Sequence, residues 1–352
     1  MTIWRNASRV CAALMFTAAM PAWAANQADY PSEQAIHSEL AAEALLLDVT
    51  QAGDRLVAVG EYGHVLTSDD QGENWVQAES VPTRITLTAV SFANENVGWA
   101  VGHDAIILRT DDSGTTWARQ YIDPVLEGEI DPFTGDIPPD RTLLTLYVFD
   151  ESHALALGAF SQALETFDGG VSWETRELVV PEVSDDPYYF PEQYHLNGAF
   201  AGPGNSLFVA AEFGIVYRSL DGGEAFDEIQ TPYDGSFWGG VSVNGSVLVY
   251  GMRGNIWRSD DLGEDWYAVD SDTSQSLAGA AVLSDGTIIF VGLGGAVTYT
   301  YDDGENFTSV IRPSRRGLAD AAPGVAGRVV VIGEDGIDYM PVRAEDYAPE
   351  GL

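Results

Sequence analysis

Ile106-Ile-Leu-Arg-Thr-Asp-Asp-Ser-Gly-Thr-Thr-Trp117 ends in a turn motif that occurs six times along the chain. The motif has Ser or Thr first, Asp third, Gly fifth and Trp or Phe eighth, and its aspartate follows a glycine or alanine by ten residues. Such an aspartate can accept hydrogen bonds from its own turn, glycine tolerates positive φ, and the aromatic ring buries a large surface. We therefore interpret the six aspartates as structural residues of hairpin tips. They are Asp70, Asp112, Asp168, Asp221, Asp261 and Asp302.

Each motif follows a short apolar run, and a seventh run, Val329–Gly333, lacks the aspartate. Units of roughly 40 residues with room for four short strands are typical of propellers, because one unit cannot bury its two faces without neighbours. We predict an all-β fold, a seven-bladed β-propeller with four-stranded antiparallel blades. The predicted inner strands begin near Leu46, Leu87, Leu144, Leu196, Phe237, Leu277 and Leu318.

The last predicted blade ends after Gly336-Ile-Asp-Tyr339 without a turn motif. Closing the ring removes exposed strand edges, which otherwise invite aggregation. We therefore predict that the N-terminal segment Gln34–Ser38 supplies the outer strand of this blade.

Residues 1–25 have the pattern of a secretory signal peptide, with Arg5 and Arg9 before an apolar core and Ala22-Trp-Ala24 as the cleavage site. The single cysteine, Cys11, lies in this segment, so we expect no thiol chemistry in the mature protein. The apolar core is too short to span a bilayer, so we expect no direct membrane insertion. We predict that residues 26–352 form a single propeller domain in the periplasm, or in a thylakoid lumen if the host is photosynthetic.

The composition is strongly acidic, with 54 Asp and Glu against 16 basic residues and a formal net charge of −38. Such a surface repels phosphate backbones and anionic headgroups, so we expect no nucleic-acid partner. The five histidines fall in different repeats without ligand spacing, and no glycine loop for phosphate is present. We therefore predict no metal site and no cofactor.

Two connections between blades are unusually long. From a motif aspartate to the next predicted inner strand there are 16 or 17 residues in four cases, but 32 and 28 residues before the third and fourth blades. Both insertions should emerge on the propeller face opposite the turn motifs, and long loops in compact domains are often functional. Tyr188 and Tyr189 in the second insertion are candidate contact residues, although packing against the blade would explain them equally well.

Arginine recurs three residues before a predicted inner strand, at Arg84, Arg141 and Arg315, with Arg316 beside the last. A planar guanidinium suits carboxylates and interface hot spots, so these four residues are candidate partner-binding residues. The alternative is that each arginine only neutralises nearby acids.

The turn motif resembles the Asp-box of bacterial neuraminidases and of many non-enzymatic propellers. The segments Leu87–Gly102 and Ile106–Trp117 more closely resemble the repeat of the photosystem II stability/assembly factor family. That resemblance implies a non-enzymatic, seven-bladed scaffold that binds a newly made membrane-protein subunit through an arginine-bearing face. It also implies that Arg84, Arg141, Arg315 and Arg316 bind the partner, and we expect the protein to act as a monomer.

The alternative function is a sialidase-like exo-glycosidase, which would share the Asp-box. Such an enzyme needs an arginine cluster and a tyrosine nucleophile with a glutamate. The Phe or Tyr, Arg, Ile, Pro signature of these enzymes is absent, because Thr86 follows Arg84-Ile85. No tyrosine–glutamate pair can be assigned from the sequence.

Overall fold

A computed structural model describes residues 33–122, 141–180, 192–325 and 327–348. Seven antiparallel sheets form the blades of a propeller, as predicted. Blades 1 to 4 contain β1 (Leu46–Ala52), β2 (Arg55–Gly60), β3 (Val65–Ser68), β4 (Val76–Gln77); β5 (Leu87–Phe92), β6 (Gly98–Gly102), β7 (Ile107–Thr110), β8 (Ala118–Tyr121); β9 (Leu143–Val148), β10 (Ala154–Gly158), β11 (Ala163–Thr166), β12 (Glu174–Thr175); and β13 (Leu196–Ala201), β14 (Leu207–Ala211), β15 (Ile215–Ser219), β16 (Asp227–Gln230).

Blades 5 and 6 again have four strands each, whereas blade 7 has three within the described residues. These blades contain β17 (Phe237–Val243), β18 (Ser246–Gly251), β19 (Ile256–Ser259), β20 (Tyr267–Val269); β21 (Leu277–Val282), β22 (Ile288–Gly292), β23 (Ala296–Thr300), β24 (Thr308–Ile311); and β25 (Leu318–Pro323), β26 (Arg328–Gly333), β27 (Gly336–Pro341). The helical segments described are short 3-10 turns, at Ala41–Glu43, Glu61–Gly63, His103–Ala105, Ala159–Ser161, Met252–Gly254, Leu293–Gly295 and Ala344–Asp346.

The core lies between neighbouring blades. Every residue of β6 is buried, and Ala100 of this strand shares an apolar cluster with Val57 and Val59 of blade 1 and with the motif residue Trp117. Because each second strand is covered on both sides, it is a nearly continuous apolar run. A single blade would expose both of these surfaces, so the blades depend on the ring for stability.

The glycine that closes each apolar run is required by a close backbone approach. Gly102 pairs with Leu87 at the start of the inner strand, and a Cβ at Gly102 would lie 2.2 Å from the carbonyl oxygen of Thr86. The equivalent glycines of five other blades show the same approach, at 2.0–2.3 Å. Blade 4 has Ala211 instead and makes a different turn after its second strand, outside the 3-10 pattern.

Blade 7 packs directly against blade 1 to close the ring. Val330 and Ile332 of β26 share an apolar cluster with Leu56 and Ala58 of β2. At the inner strands, the Val49 amide donates a hydrogen bond of 3.2 Å to Asp320 of β25. Face-to-face packing of the two blades therefore joins the ends of the ring.

The structure corrects the prediction that Gln34–Ser38 forms the outer strand of blade 7. This segment has no strand assignment and contacts blade 1 instead. The Ala35 amide donates to the carbonyl of Val81 at 2.9 Å, and the Gln77 side-chain amide donates to the carbonyl of Ile36 at 2.8 Å. The Ala35 amide and the Ile36 carbonyl are therefore hydrogen-bonded to blade 1 and do not pair with a strand of blade 7.

One predicted strand start differs from the structure by one residue. The inner strand of blade 3 begins at Leu143, which pairs with Gly158, and not at Leu144. The other six predicted starts match the strands.

Candidate partner-binding face

The propeller has two faces that differ in the connections they carry. In a four-stranded antiparallel blade, the turns after the first and third strands lie at one end, and the turn after the second strand and the link to the next blade lie at the other. The turn motifs follow the third strands, so we name their side the Asp-box face. We name the opposite side the connection face. The strands that flank the two long insertions begin and end on the connection face. Residues 123–140 and 181–191 lie outside the described residues, and the predicted contacts Tyr188 and Tyr189 are among them.

On the Asp-box face, the motif aspartates bond to their own turns. Asp70 accepts hydrogen bonds from the Ser68 hydroxyl at 2.8 Å and from the backbone and side-chain amides of Asn74 at 2.8 and 2.7 Å. These bonds, those from Asn74 first, hold the pKa of Asp70 below its usual range. Trp75 donates from its indole to the carbonyl of Gly72 at 2.9 Å and so folds the turn back on itself.

The other five motif aspartates have the same partners in kind. Each accepts from the Ser or Thr hydroxyl two residues earlier, at 2.7–3.0 Å. The carboxylates therefore accept hydrogen bonds within their own turns, as expected for residues that stabilise the hairpin tips.

Three of the four candidate arginines have described side-chain surroundings on the connection face. The Arg84 guanidinium donates to the carbonyl of Gln34 at 3.0 Å and lies 3.9 Å from the Glu33 carboxylate, and 52% of its side chain is exposed. Arg316 lies 3.3 Å from both Glu334 and Asp335. Arg315 is exposed, and its guanidinium has no hydrogen bond or ion pair to another described residue. Arg84 and Arg316 therefore fit the neutralising alternative, whereas Arg315 does not.

Arg141 does not occupy the repeat position assigned to it. Because β9 begins at Leu143, Arg141 lies two residues before its inner strand, whereas Arg84 and Arg315 lie three residues before theirs. Arg141 is nevertheless exposed at the same end of blade 3. It shares the connection face with the other arginines but not their register.

The connection face also carries residues that the sequence analysis missed. In blades 1 to 6, the turn after the second strand places a residue with a positive φ at its tip, two positions after the closing glycine or alanine. Tyr62, Phe160 and Phe213 have φ of 58°, 55° and 55° and are 51%, 44% and 60% exposed, and Arg253 has a φ of 58° and is also exposed. We call these four residues the tip residues. Bulky side chains are rare in this conformation, and such strain often occurs at functional sites.

A profile described as "Photosynthesis system II assembly factor YCF48" matches residues 26–135 and 133–321. The chain belongs to the YCF48 family. The Photosystem II assembly lipoprotein Ycf48 of Synechococcus sp. (strain CC9902) is 24% identical over 195 residues, 55% of this chain. That match spans 52% of the relative, so the chain covers about half the length of this curated protein.

Solved structures related to this YCF48-family chain have the same fold. A structure described as "YCF48 bound to D1 peptide" has a TM-score of 0.64 and 18% identity, with 86% of this chain and 94% of that chain covered. A streptogramin B lyase has a TM-score of 0.63 and 14% identity, with 87% and 96% covered. Likeness at this level shows the fold alone, and the fold serves both binding proteins and enzymes.

Two features are absent from the described residues of this YCF48-family chain. These residues contain no helix that is both long and apolar enough to cross a membrane. They also contain no group of three or more His, Cys, Asp or Glu side chains arranged to hold a metal ion.

Proposed function

We propose that this YCF48-family protein is an exported, non-enzymatic scaffold that binds a segment of a membrane-protein subunit on its connection face. The observation that carries the proposal is that strained, exposed aromatic tip residues share this face with exposed arginines. The relative that is a lipoprotein supports export, and the relative bound to D1 peptide supports a photosystem II subunit as partner. We propose that it acts as a periplasmic monomer.

The charges on the connection face favour a partner segment that carries carboxylates. The protein as a whole has a net charge of −38 and repels acidic partners at a distance. Exposed guanidinium groups at Arg84, Arg253 and Arg315 offer local positive charge, and the planar fork of arginine matches a carboxylate. Recognition would therefore be short-range and confined to this face.

The aromatic tip residues add an apolar contribution to the same surface. Tyr62, Phe160 and Phe213 stand on blades 1, 3 and 4, and each is about half exposed. Aromatic and arginine side chains dominate the binding energy of most protein interfaces. A partner segment with both carboxylates and apolar side chains would contact both groups. Tyr188 and Tyr189 remain predicted contacts of this surface.

The test is recovery of membrane subunits from detergent-solubilised native membranes on the purified protein. We expect the double variant Arg84→Glu, Arg315→Glu to recover at least tenfold less of the bound subunit than the wild type, because both positive charges are reversed. Arg328→Glu is the matched control, since this half-exposed arginine begins β26 on the Asp-box face. Equal recovery by the double variant and the wild type would contradict the proposal.

A sialidase-like exo-glycosidase is the alternative, and one pair of residues has the required types. Tyr194 donates a hydrogen bond to Glu192 in the connection before blade 4. That bond raises the pKa of Tyr194 to about 12, which disfavours the phenolate that a nucleophile needs. Turnover of a fluorogenic sialoside by the wild type, and its loss in Tyr194→Phe, would support the enzyme instead of the scaffold.

A further inference from the structure

The central channel has an acidic side and a glycine side. The third residue of each inner strand lines one cavity of about 290 Å³. At this position blades 7 and 1 present Asp320 and Asp48, whereas blades 4, 5 and 6 present Gly198, Gly239 and Gly279. The absence of a side chain at Gly279 makes room for the Asp320 carboxyl group, whose Oδ1 lies 2.3 Å from where a Cβ at Gly279 would be.

The two carboxyl groups are held in contact where the ring closes. Asp320 accepts the Val49 amide at 3.2 Å, Asp48 accepts the Val90 amide at 2.6 Å, and the two side chains are hydrogen-bonded to each other. Blades 7, 1 and 2 are thereby linked in sequence. Two carboxylates in contact cannot both remain charged without a proton or a cation to neutralise them.

Tyr250 supplies a third oxygen from the opposite side of the channel. It belongs to the second strand of blade 5 and is only 6% exposed, yet its ring reaches the cavity past Gly239. A Cβ at Gly239 would lie 2.5 Å from the tyrosine hydroxyl. Within the described part of the chain, this hydroxyl has no hydrogen-bond partner. The hydroxyl can therefore contact a ligand in the cavity without breaking a hydrogen bond to a described protein group.

We propose that Asp48, Asp320 and Tyr250 form a binding site for a divalent cation of the calcium type in the central channel. The donors are all oxygens, which hard cations prefer, and two carboxylates balance a charge of +2. Calcium accepts six to eight ligands in flexible geometry, and the cavity has room for water molecules that complete the shell.

The experiment measures binding of Ca²⁺ to the purified protein by calorimetry, with thermal unfolding as a second readout. The buffer contains 1 M NaCl, because high salt screens non-specific attraction of cations to the acidic surface. At pH 8 we expect one Ca²⁺ site in the wild type and a rise in Tm of about 3 °C at saturation.

Three variants separate this site from surface effects. Asp320→Asn should abolish binding, and Tyr250→Phe, which keeps the packing of the ring, should weaken it several-fold. Asp335→Asn is the matched control, because this carboxylate is exposed on the connection face. No Ca²⁺ binding by the wild type at pH 8, or equal binding by wild type, Asp320→Asn and Tyr250→Phe, would overturn the proposal.

Discussion

The two faces of the propeller use the same repeat in opposite ways. On the Asp-box face, six turns have the same residue types at the same positions, and their polar groups are satisfied within each turn. On the connection face, the tips of the second-strand turns of blades 1 to 6 share one backbone conformation but carry a different residue in most blades. The comparison indicates that repeated residues maintain the ring, whereas the residues that vary on a constant backbone are available for binding.

In blade 6, the tip of the turn after the second strand is a glycine, which adopts a positive φ without strain. Gly294 occupies it with a φ of 63°, close to the 58° of Tyr62 and the 55° of Phe213. Glycine adopts this conformation readily, whereas a side chain there costs roughly 1–2 kcal/mol. Aromatic residues at such positions oppose stability, which is why we propose a role in binding for them.

The largest expected effect is on the Asp-box face. Trp117 is 5% exposed, packs between blades 1 and 2, and donates to the carbonyl of Gly114 at 3.0 Å. We expect Trp117→Ala to lower the free energy of unfolding by about 3–5 kcal/mol, because it leaves a large cavity. Phe213→Ala on the connection face should change it by less than about 1 kcal/mol. Urea unfolding of both variants checks the contrast, and similar losses would remove the distinction between the faces.

The sequence predicted the ring well because its spacing is tied to steric requirements. Leu87 and Gly102 had to pair where the backbones approach closely, so counting residues located the strand start. The residue spacing did not locate the start of blade 3 correctly. Leu143 and Leu144 are equally apolar, and the long insertion before them changes the distance from the preceding motif aspartate. The prediction for Gln34–Ser38 was wrong for a different reason. The absence of a turn motif in blade 7 does not determine which blade the N-terminal segment contacts, and this segment contacts blade 1.

The candidate site was harder to predict than the fold. The candidate arginines could be found from the sequence because the same residue type recurs at one repeat position in an acidic chain. The tip residues could not, because they are Tyr, Phe and Arg in different blades. Their common property is a positive φ, which residue type does not reveal in a non-glycine residue. In blades 1 to 6, the signal available in the sequence was the position two residues after the closing glycine or alanine.

A smaller effect should follow from acid titration of the Asp-box face. The folded-state pKa of Asp70 lies below its unfolded value near 3.8, so its contribution to stability is present above about pH 4 and is lost as the pH falls through the folded pKa. We expect Asp70→Asn to lower Tm at pH 7 and to approach the wild type as the pH falls through the folded-state pKa of Asp70. Arg84→Gln, on the connection face, should show no such convergence. A constant difference in Tm for Asp70→Asn from pH 7 to pH 3 would show that its charge is unimportant.

The smallest effect concerns the strained tip of blade 4. Phe213 is 60% exposed with a φ of 55°, and its ring lies 5.9 Å from that of Tyr194. We expect Phe213→Gly to raise the free energy of unfolding by up to about 1 kcal/mol, because glycine relieves the backbone strain and little apolar contact is lost. The same variant should recover less membrane subunit in the pull-down assay.

The motif phenylalanine of the same blade is the control for that result. Phe226 is 8% exposed and packs between blades 3 and 4, so Phe226→Ala should destabilise the protein strongly. If Phe213→Gly also destabilised the protein, and recovered the partner as well as the wild type does, its side chain would be structural. The connection face would then differ from the Asp-box face only in sequence variability, and the arginines alone would remain as its binding residues.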